Sequence, residues 1–260
     1  VQTCALPISP KPQNPFCLCA LFNISMKFVY QLTALAALAN SAVYAHDTTG
    51  DGKRDFQEMC ATYGFQFEEH TVVTEDGYIL TVWCIPGLVN EPAPTTPKPS
   101  VLLQHGILDS ANAWVMNYEA VSPAFVTARG GYDVWLGNSR GNTYSLGHVN
   151  KMKDKEYWAF DWEQMGQYDI PAVLEHIVEV TGNQKISYVG HSQGTTQLFY
   201  GMSEYHDYYK TRLNLAVMLG PVTKIPNAQS DTLHLMADFY DEIVFEADLL
   251  NIYAVFQKNF

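Results

Sequence analysis

One serine stands between two glycines in the stretch Gly190-His191-Ser192-Gln193-Gly194, which fits the pattern G-x-S-x-G. An apolar run at 185–189 precedes it, and the residues at 195–203 have apolar side chains at helical spacing. On a strand-to-helix turn of this kind the serine hydroxyl is exposed as a nucleophile, and the glycines avoid collisions with strand and helix backbone. The N-terminus of the helix directs N–H groups at the negative charge that develops in acyl transfer. The motif therefore predicts that Ser192 is a catalytic nucleophile.

A second stretch, Gly137-Asn138-Ser139-Arg140-Gly141, fits the same pattern and also follows an apolar run. The residues after it, 142–147, have no helical periodicity and are rich in turn formers. A serine without a helix behind it gains no helix dipole. We therefore expect Ser139 and Arg140 to form a hydrogen-bonded loop beyond a strand end, and we assign the nucleophile to Ser192.

The elements around these motifs alternate between strands and helices. The patterns predict a helix at 55–63, a hairpin at 70–85 that turns at Asp76-Gly77, an exposed proline-rich loop at 86–99, a helix that runs from about 170 and ends before Gly182, and buried strands at 101–103, 132–136, 186–189 and 213–219. Short apolar strands that alternate with amphipathic helices indicate an α/β fold. We predict a mostly parallel sheet with helices on both faces and an N-terminal hairpin.

Four stretches resemble the acid lipase family, the gastric and lysosomal acid lipases and their relatives, which have the α/β-hydrolase fold. They are 71–80 (TVVTEDGYIL), 103–107 (LQHGI), 131–142 (GYDVWLGNSRGN) and 188–196 (YVGHSQGTT). The resemblance implies a lipase that cleaves triacylglycerols or cholesteryl esters through a serine acyl-enzyme at a lipid–water interface. It also implies a hydrolase core at 46–222 and the beginning of a helical cap at 223–260.

The loop after the strand at 101–103 contains His105-Gly106-Ile107. In the α/β-hydrolase pattern the backbone N–H groups of Ile107 and Gln193 hold the oxyanion. We expect His105 to fix this loop by hydrogen bonds rather than to act as the general base, because this fold takes its base from the last strand. His191 adjoins the nucleophile, but adjacent residues on a sharp turn point apart, and we expect it to pack beneath the turn.

The resemblance implies a triad in the order Ser, Asp, His, whose last two members follow core strands beyond the cap. Of the 68 residues after Ser192, one stretch, 213–219, reads as a core strand. His206 and His234 lie in helix or cap context, and neither is assigned as the base. We therefore expect the triad Asp and His, and the last core strands, to be absent from this chain, which by itself would not be a competent lipase.

The first residues read as two segments. Residues 1–25 begin without Met and resemble translated adapter and upstream sequence. From Met26-Lys27 onward, an apolar stretch at 28–38 and a small-residue site at Val43-Tyr44-Ala45 are typical of a secretory signal peptide at 26–45. The sequence therefore predicts a secreted or lysosomal protein without a transmembrane span once the signal is removed.

The charged residues, metal-ligand patterns and cysteines limit which partners, cofactors and disulfides are possible. Lys11 and Lys27 are the charged residues of 1–45, so 46–260 carry 13 basic and 27 acidic side chains, a net charge of −14. This acidity argues against a nucleic-acid partner. The sequence has no C-x-x-C and no H-E-x-x-H and predicts no metal or cofactor. Cys60 and Cys84 could form a disulfide or remain as two buried thiols.

Two alternatives to a lipase stay open at this point. Another serine hydrolase, a thioesterase or a peptidase, could use the same fold, because fold does not determine substrate. A lipid-binding homologue that kept the fold and lost the chemistry belongs to a different functional class. The intact motif around Ser192 favours an enzyme.

Overall fold

The computed structural model describes residues 50–92, 94–224, 227 and 229–253 of the 260. The predicted upstream segment, the predicted signal peptide and the last residues of the predicted cap lie outside these residues. The chain divides into two compact units, Val1–Gly52 and Lys53–Phe260. In the first unit, the described residues enter a short 3₁₀ turn, Asp51–Lys53. The elements below belong to the second unit.

Helices and strands alternate along the second unit. In chain order they are α1 (Phe56–Tyr63), β1 (Glu68–Val73), β2 (Tyr78–Ile85), β3 (Ser100–Gln104), α2 (Pro123–Arg129), β4 (Asp133–Gly137), β5 (Gly147–His148), α3 (Asp154–Tyr157), α4 (Trp162–Gln164), α5 (Ile170–Thr181), β6 (Ile186–His191), α6 (Gln193–Glu204), α7 (His206–Arg212), β7 (Leu213–Leu219), α8 (Asp231–Asp238) and α9 (Tyr240–Leu250). A 3₁₀ turn, Ala111–Trp114, follows β3, and a π-helical turn, Met165–Asp169, leads into α5.

The strands form one mixed sheet in the order β1-β2-β4-β3-β6-β7, and the two-residue β5 pairs with β2. β1 and β2 form the predicted antiparallel hairpin, and β2 is antiparallel to β4. The β3–β4, β3–β6 and β6–β7 pairs are parallel. The predicted parallel sheet with an N-terminal hairpin is confirmed. Because β3 and β6 are parallel neighbours, the loops after them meet at the carboxyl end of the sheet.

Helices cover both faces of the sheet, as predicted. Along β4, Val134 and Leu136 pack into a core with α1 and α2, whereas Trp135 between them packs into a second core with α5, α6 and α7. This alternation follows from the period of two residues in a strand. The four central strands are therefore apolar on both sides, which is typical of a parallel sheet.

Local signals end two helices where the sequence predicts. Asp55 and Glu58 form a capping box at the start of α1, and Gly64 ends this helix in the left-handed conformation with φ 76°. Gly182 ends α5 in the same way, with φ 75°. The hairpin turns at Gly77, which has φ 94°.

The two cysteines of the second unit are free and buried. Cys60 lies in the core beneath α1 and α2, whereas Cys84 lies in the core on the opposite face of the sheet. The sheet between them prevents a disulfide, so the alternative of two buried thiols is confirmed. Burial raises the pKa of Cys60 to about 12 and raises that of Cys84 further, where the nearby Asp133 adds to the effect.

At the far edge of the sheet, β7 exposes apolar side chains, and Leu215 is 56% exposed. Two helices, α8 and α9, follow it, and along α9 Tyr240, Phe245 and Leu249 are also exposed. The assignment of these helices to a cap remains a prediction. Within the described residues, no helix is long and apolar enough to span a membrane.

Candidate active site

Ser192 joins the carboxyl end of β6 to the N-terminus of α6. Its backbone has φ 51° and ψ −116°, a conformation in which an L-residue is strained. The N–H of Ser192 donates to the carbonyl of Leu219 at 2.9 Å, so the turn is tied to the end of β7. The helix begins at Gln193, two residues earlier than the sequence predicts. The predicted strand, turn and helix around the serine are all present.

The two glycines of the motif are required by close backbone approaches. A Cβ atom at Gly190 would lie 2.7 Å from the Tyr188 ring and 2.9 Å from the carbonyl carbon of Gly194. A Cβ atom at Gly194 would lie 2.6 Å from the carbonyl oxygen of Gln104 and 2.9 Å from that of His105. The predicted collisions are confirmed, and the second one shows that α6 is packed directly onto the end of β3.

Thr195 holds the turn from inside the helix, a role that the motif alone did not reveal. Its backbone N–H and its hydroxyl both donate to the carbonyl of Ser192, at 2.9 and 2.6 Å. Its Oγ1 also accepts from the N–H of Val222 at 2.9 Å. The neighbouring Thr196 hydroxyl donates to the carbonyl of Val222 at 2.8 Å. These bonds fasten the chain after β7 against the nucleophile turn.

The loop after β3 lies against Ser192. A Cβ atom at Gly106 would lie 3.0 Å from the Cβ atom of Ser192 and 3.2 Å from Nδ1 of His191. No described residue accepts a hydrogen bond from the N–H of Ile107 or from that of Gln193. The first N–H groups of a helix have no partner within the helix, so the Gln193 group is available to an anion. The two predicted oxyanion donors thus lie on segments that meet at Ser192.

His105 is buried and fully engaged in the loop. Its Nδ1 lies 2.7 Å from the carbonyl oxygen of Gly106, and its Nε2 accepts from the N–H of Ser139 at 3.1 Å. The Asn142 amide nitrogen lies 3.2 Å from the same Nε2. Burial lowers the pKa of His105, which keeps the ring neutral. The expectation that His105 fixes the loop is confirmed.

The expectation for His191 is wrong, because its side chain is exposed rather than packed beneath the turn. His191 is the last residue of β6, and its ring extends past the carboxyl end of the sheet, beside Gly106. His206 stands at the other end of α6, and its exposed ring lies 3.3 Å from Asp207. The twelve-residue α6 places it about 18 Å from the nucleophile turn, at 1.5 Å per residue. No described side chain forms a hydrogen bond with the Ser192 hydroxyl.

The second G-x-S-x-G stretch forms a buried loop at the end of β4, as expected. The Oγ of Ser139 accepts from the side-chain amides of Gln104 at 2.8 Å and Gln197 at 3.2 Å. The Arg140 side chain is fully buried and binds Asp169 through Nε at 2.8 Å and Asp76 through Nη1 at 2.6 Å. The Ser139 hydroxyl thus joins two neighbouring elements, as expected for a hydrogen-bonded loop.

The two carboxylates that bind Arg140 have pKa values shifted in opposite directions. Burial raises the pKa of Asp169 to about 6, against the pull of Arg140. Burial also acts to raise the pKa of Asp76, but hydrogen bonds from Arg140 and Thr74 outweigh it, so this pKa is lowered. The Arg140 guanidinium also stacks on Tyr78, 3.9 Å from the ring centre. Sequence analysis missed both carboxylates, since no local pattern links them to Arg140.

The sequence matches two family models. Residues 99–252 match the alpha/beta hydrolase fold, and residues 56–118 match a partial alpha/beta-hydrolase lipase region. The chain belongs to the alpha/beta hydrolase fold family. The order of the sheet and the turn at Ser192 agree with that membership.

Curated relatives within this family are lipases. The chain is 40% identical to human lipase member K over 210 residues, which are 78% of this chain and 52% of the relative. It is 43% identical to rat gastric triacylglycerol lipase, over 69% of this chain and 46% of the relative. It is 40% identical to human lysosomal acid lipase/cholesteryl ester hydrolase, over 72% and 49%. The resemblance to acid lipases is confirmed, and the chain spans about half the length of these alpha/beta hydrolase relatives.

Proposed function

We propose that the protein is a serine ester hydrolase of acid-lipase type and that Ser192 is its nucleophile. The observation that carries the proposal is the strained backbone of Ser192 at a strand-to-helix junction, with Gly106 packed against its side chain. Backbone strain of this kind costs about 1–3 kcal/mol and persists where the surrounding structure enforces it, most often at functional sites. This strain favours an enzyme over a non-catalytic lipid-binding homologue.

In the proposed reaction, the Ser192 hydroxyl attacks the carbonyl carbon of an ester and loses its proton to a histidine. We assign that histidine and its orienting aspartate to no residue that the structure describes. The negative charge on the carbonyl oxygen is held by the N–H groups of Gln193 and Ile107. Collapse of the tetrahedral intermediate releases the alcohol, and water then hydrolyses the acyl-enzyme to a free acid.

For the substrate we propose lipid esters, namely triacylglycerols or cholesteryl esters. Two observations support this choice. The relatives bear the names gastric triacylglycerol lipase and lysosomal acid lipase/cholesteryl ester hydrolase. The α8 and α9 helices expose large apolar side chains, among them Phe245 at 68% and Leu249 at 70%, which suit contact with a lipid–water interface. We place the protein outside the cell or in the lysosome, in keeping with the signal peptide predicted at 26–45.

A lipid phosphonate, which forms a covalent bond with an activated serine, tests the nucleophile in the full product of the gene. The unmodified protein should be labelled at Ser192, as read by mass spectrometry of the peptide. Ser192→Ala should abolish labelling. The matched control is Ser203→Ala, which removes an exposed hydroxyl from the same helix. Labelling that survives Ser192→Ala and disappears in Ser139→Ala would contradict the assignment.

A further inference from the structure

We infer that the second G-x-S-x-G stretch, 137–141, positions the oxyanion hole, and that His105 is the positioning residue through which it acts. This inference rests on the proposed function, since it concerns the Ile107 N–H as an oxyanion donor. Four hydrogen bonds carry it. One runs from the Ser139 N–H to His105, one from His105 to the Gly106 carbonyl, and two from the side-chain amides of Gln104 and Gln197 to the Ser139 hydroxyl.

Hydrogen bonds at both ring nitrogens fix the tautomer of His105. A backbone N–H can only donate, so the bond from the Ser139 N–H requires an unprotonated Nε2 on His105. In a neutral ring the proton then resides on Nδ1. This Nδ1–H faces the carbonyl oxygen of Gly106 at 2.7 Å, and that oxygen can only accept. Both partners of His105 therefore demand the same tautomer.

His105 also fixes a peptide plane. The carbonyl of Gly106 and the N–H of Ile107 belong to one trans peptide unit, in which the two groups point in opposite directions. Because the buried His105 holds the carbonyl, the N–H points away from His105, toward the side on which no described residue accepts from it. Rotation of this peptide would break the buried hydrogen bond to His105.

The Ser139 loop is held on three sides, which makes it rigid enough to position His105. Its serine hydroxyl joins Gln104, at the end of β3, to Gln197 on α6. The loop after β3 carries Ile107, and α6 begins with Gln193. The next residue, Arg140, anchors the loop through its buried pairs with Asp169 and Asp76. The loop thus fixes His105 relative to both donors at once.

Two substitutions separate the donor function of His105 from its volume. Asn places an amide nitrogen near the Nδ1 position and can still donate to the Gly106 carbonyl, whereas Gln places its polar atoms near the Nε2 position and cannot. In the full gene product, His105→Gln should lower kcat for a soluble short-chain ester by about 10²-fold with little change in KM, the loss typical of one oxyanion donor. His105→Asn keeps the donor to Gly106 but loses the acceptor for the Ser139 N–H, so kcat should fall by a smaller factor, to within about tenfold of the unmodified enzyme. His206→Gln, at an exposed histidine, is the matched control.

A second readout does not depend on catalysis. Nitrogen-15 NMR of labelled histidines at pH 7.5 should show His105 as the Nδ1–H tautomer, with its signal identified by its loss in His105→Asn. An Nε2–H tautomer at this pH would overturn the inference. Equal losses of kcat in the Gln and Asn variants, or no loss in either, would overturn it as well. If the unmodified protein shows no Ser192-dependent hydrolysis, the proposed function is refuted instead. The NMR experiment reports on His105 alone and does not bear on the proposed function.

Discussion

A side-chain carbon at Gly106 would lie 3.0 Å from the Cβ atom of Ser192, which is closer than nearly all such contacts in proteins. The loop after β3 therefore touches the nucleophile turn directly, with no side chain between them. This contact brings the loop that carries Ile107 against the nucleophile turn, and a methyl group at Gly106 would force the two segments apart.

Replacement of Gly106 by Val should widen this contact and displace the Ile107 N–H. We expect turnover of a short-chain ester by the full gene product to fall by about 10²-fold or more, because one oxyanion donor is lost. Thermal unfolding should change less, since the next residues of the loop, Ile107 and Leu108, are exposed and can shift. Parallel losses of stability and turnover would indicate that Gly106 serves packing alone.

Replacement of Gly194 by Ala should act on stability instead. Its Cβ atom would lie 2.6 Å from the carbonyl oxygen of Gln104, which is backbone and cannot move aside. We expect a loss of about 1–3 kcal/mol in the free energy of unfolding, measured by urea denaturation, because overpacking forces α6 away from β3. Ser203→Ala on the same helix is the control and should unfold like the unmodified protein. An unchanged urea midpoint in Gly194→Ala would disprove the close approach.

Asp169 gives the protein a pH dependence with a defined sign. Its pKa is raised to about 6 in the folded state from an ordinary value of about 3.9, so its contribution to stability is full below that ordinary value and is lost as the pH rises through 6. Asp169→Asn cannot titrate. The unmodified protein should therefore gain stability relative to this variant when the pH falls from 7.5 to 4.5, as measured by urea denaturation at each pH.

Asp76→Asn provides the contrast for that experiment. Because the pKa of Asp76 is lowered in the folded state, Asp76 contributes to stability at any pH above its ordinary pKa. That contribution is lost only as the pH falls through the pKa of the folded state. The stability advantage of the unmodified protein over Asp76→Asn should thus persist from pH 7.5 to 4.5. A gap for Asp169→Asn that is equally constant would show that Asp169 stays ionised throughout.

Processing of the N-terminus tests the predicted location. When expressed from Met26 in a secretory host, the protein should be found in the medium or in lysosomes with His46 as its first residue, because Val43-Tyr44-Ala45 fits signal peptidase. N-terminal sequencing or intact mass gives the answer. Retention of Met26 would rule out the signal peptide and would remove the argument for a secreted or lysosomal protein.

Sequence alone predicted the hairpin, the buried strands β3, β4, β6 and β7, the helices α1, α5 and α6, and the turn at Ser192. These features depend on local information: apolar runs, helix periodicity and glycines at fixed offsets from one serine. The same information distinguished Ser192 from Ser139, because a helix follows only the first.

Tertiary structure decided what depends on residues far apart in the chain. Arg140 meets Asp169 across 29 positions and Asp76 across 64, and no local pattern records such a pairing. The sheet separates Cys60 from Cys84, because strand order decides which face each side chain meets. The expectation that His191 packs beneath the turn was wrong for a similar reason, because a residue from the distant β3 loop, Gly106, lies beside its ring. The Nε2 of His105 accepts from the backbone N–H of Ser139, 34 residues away, and no local pattern records this bond.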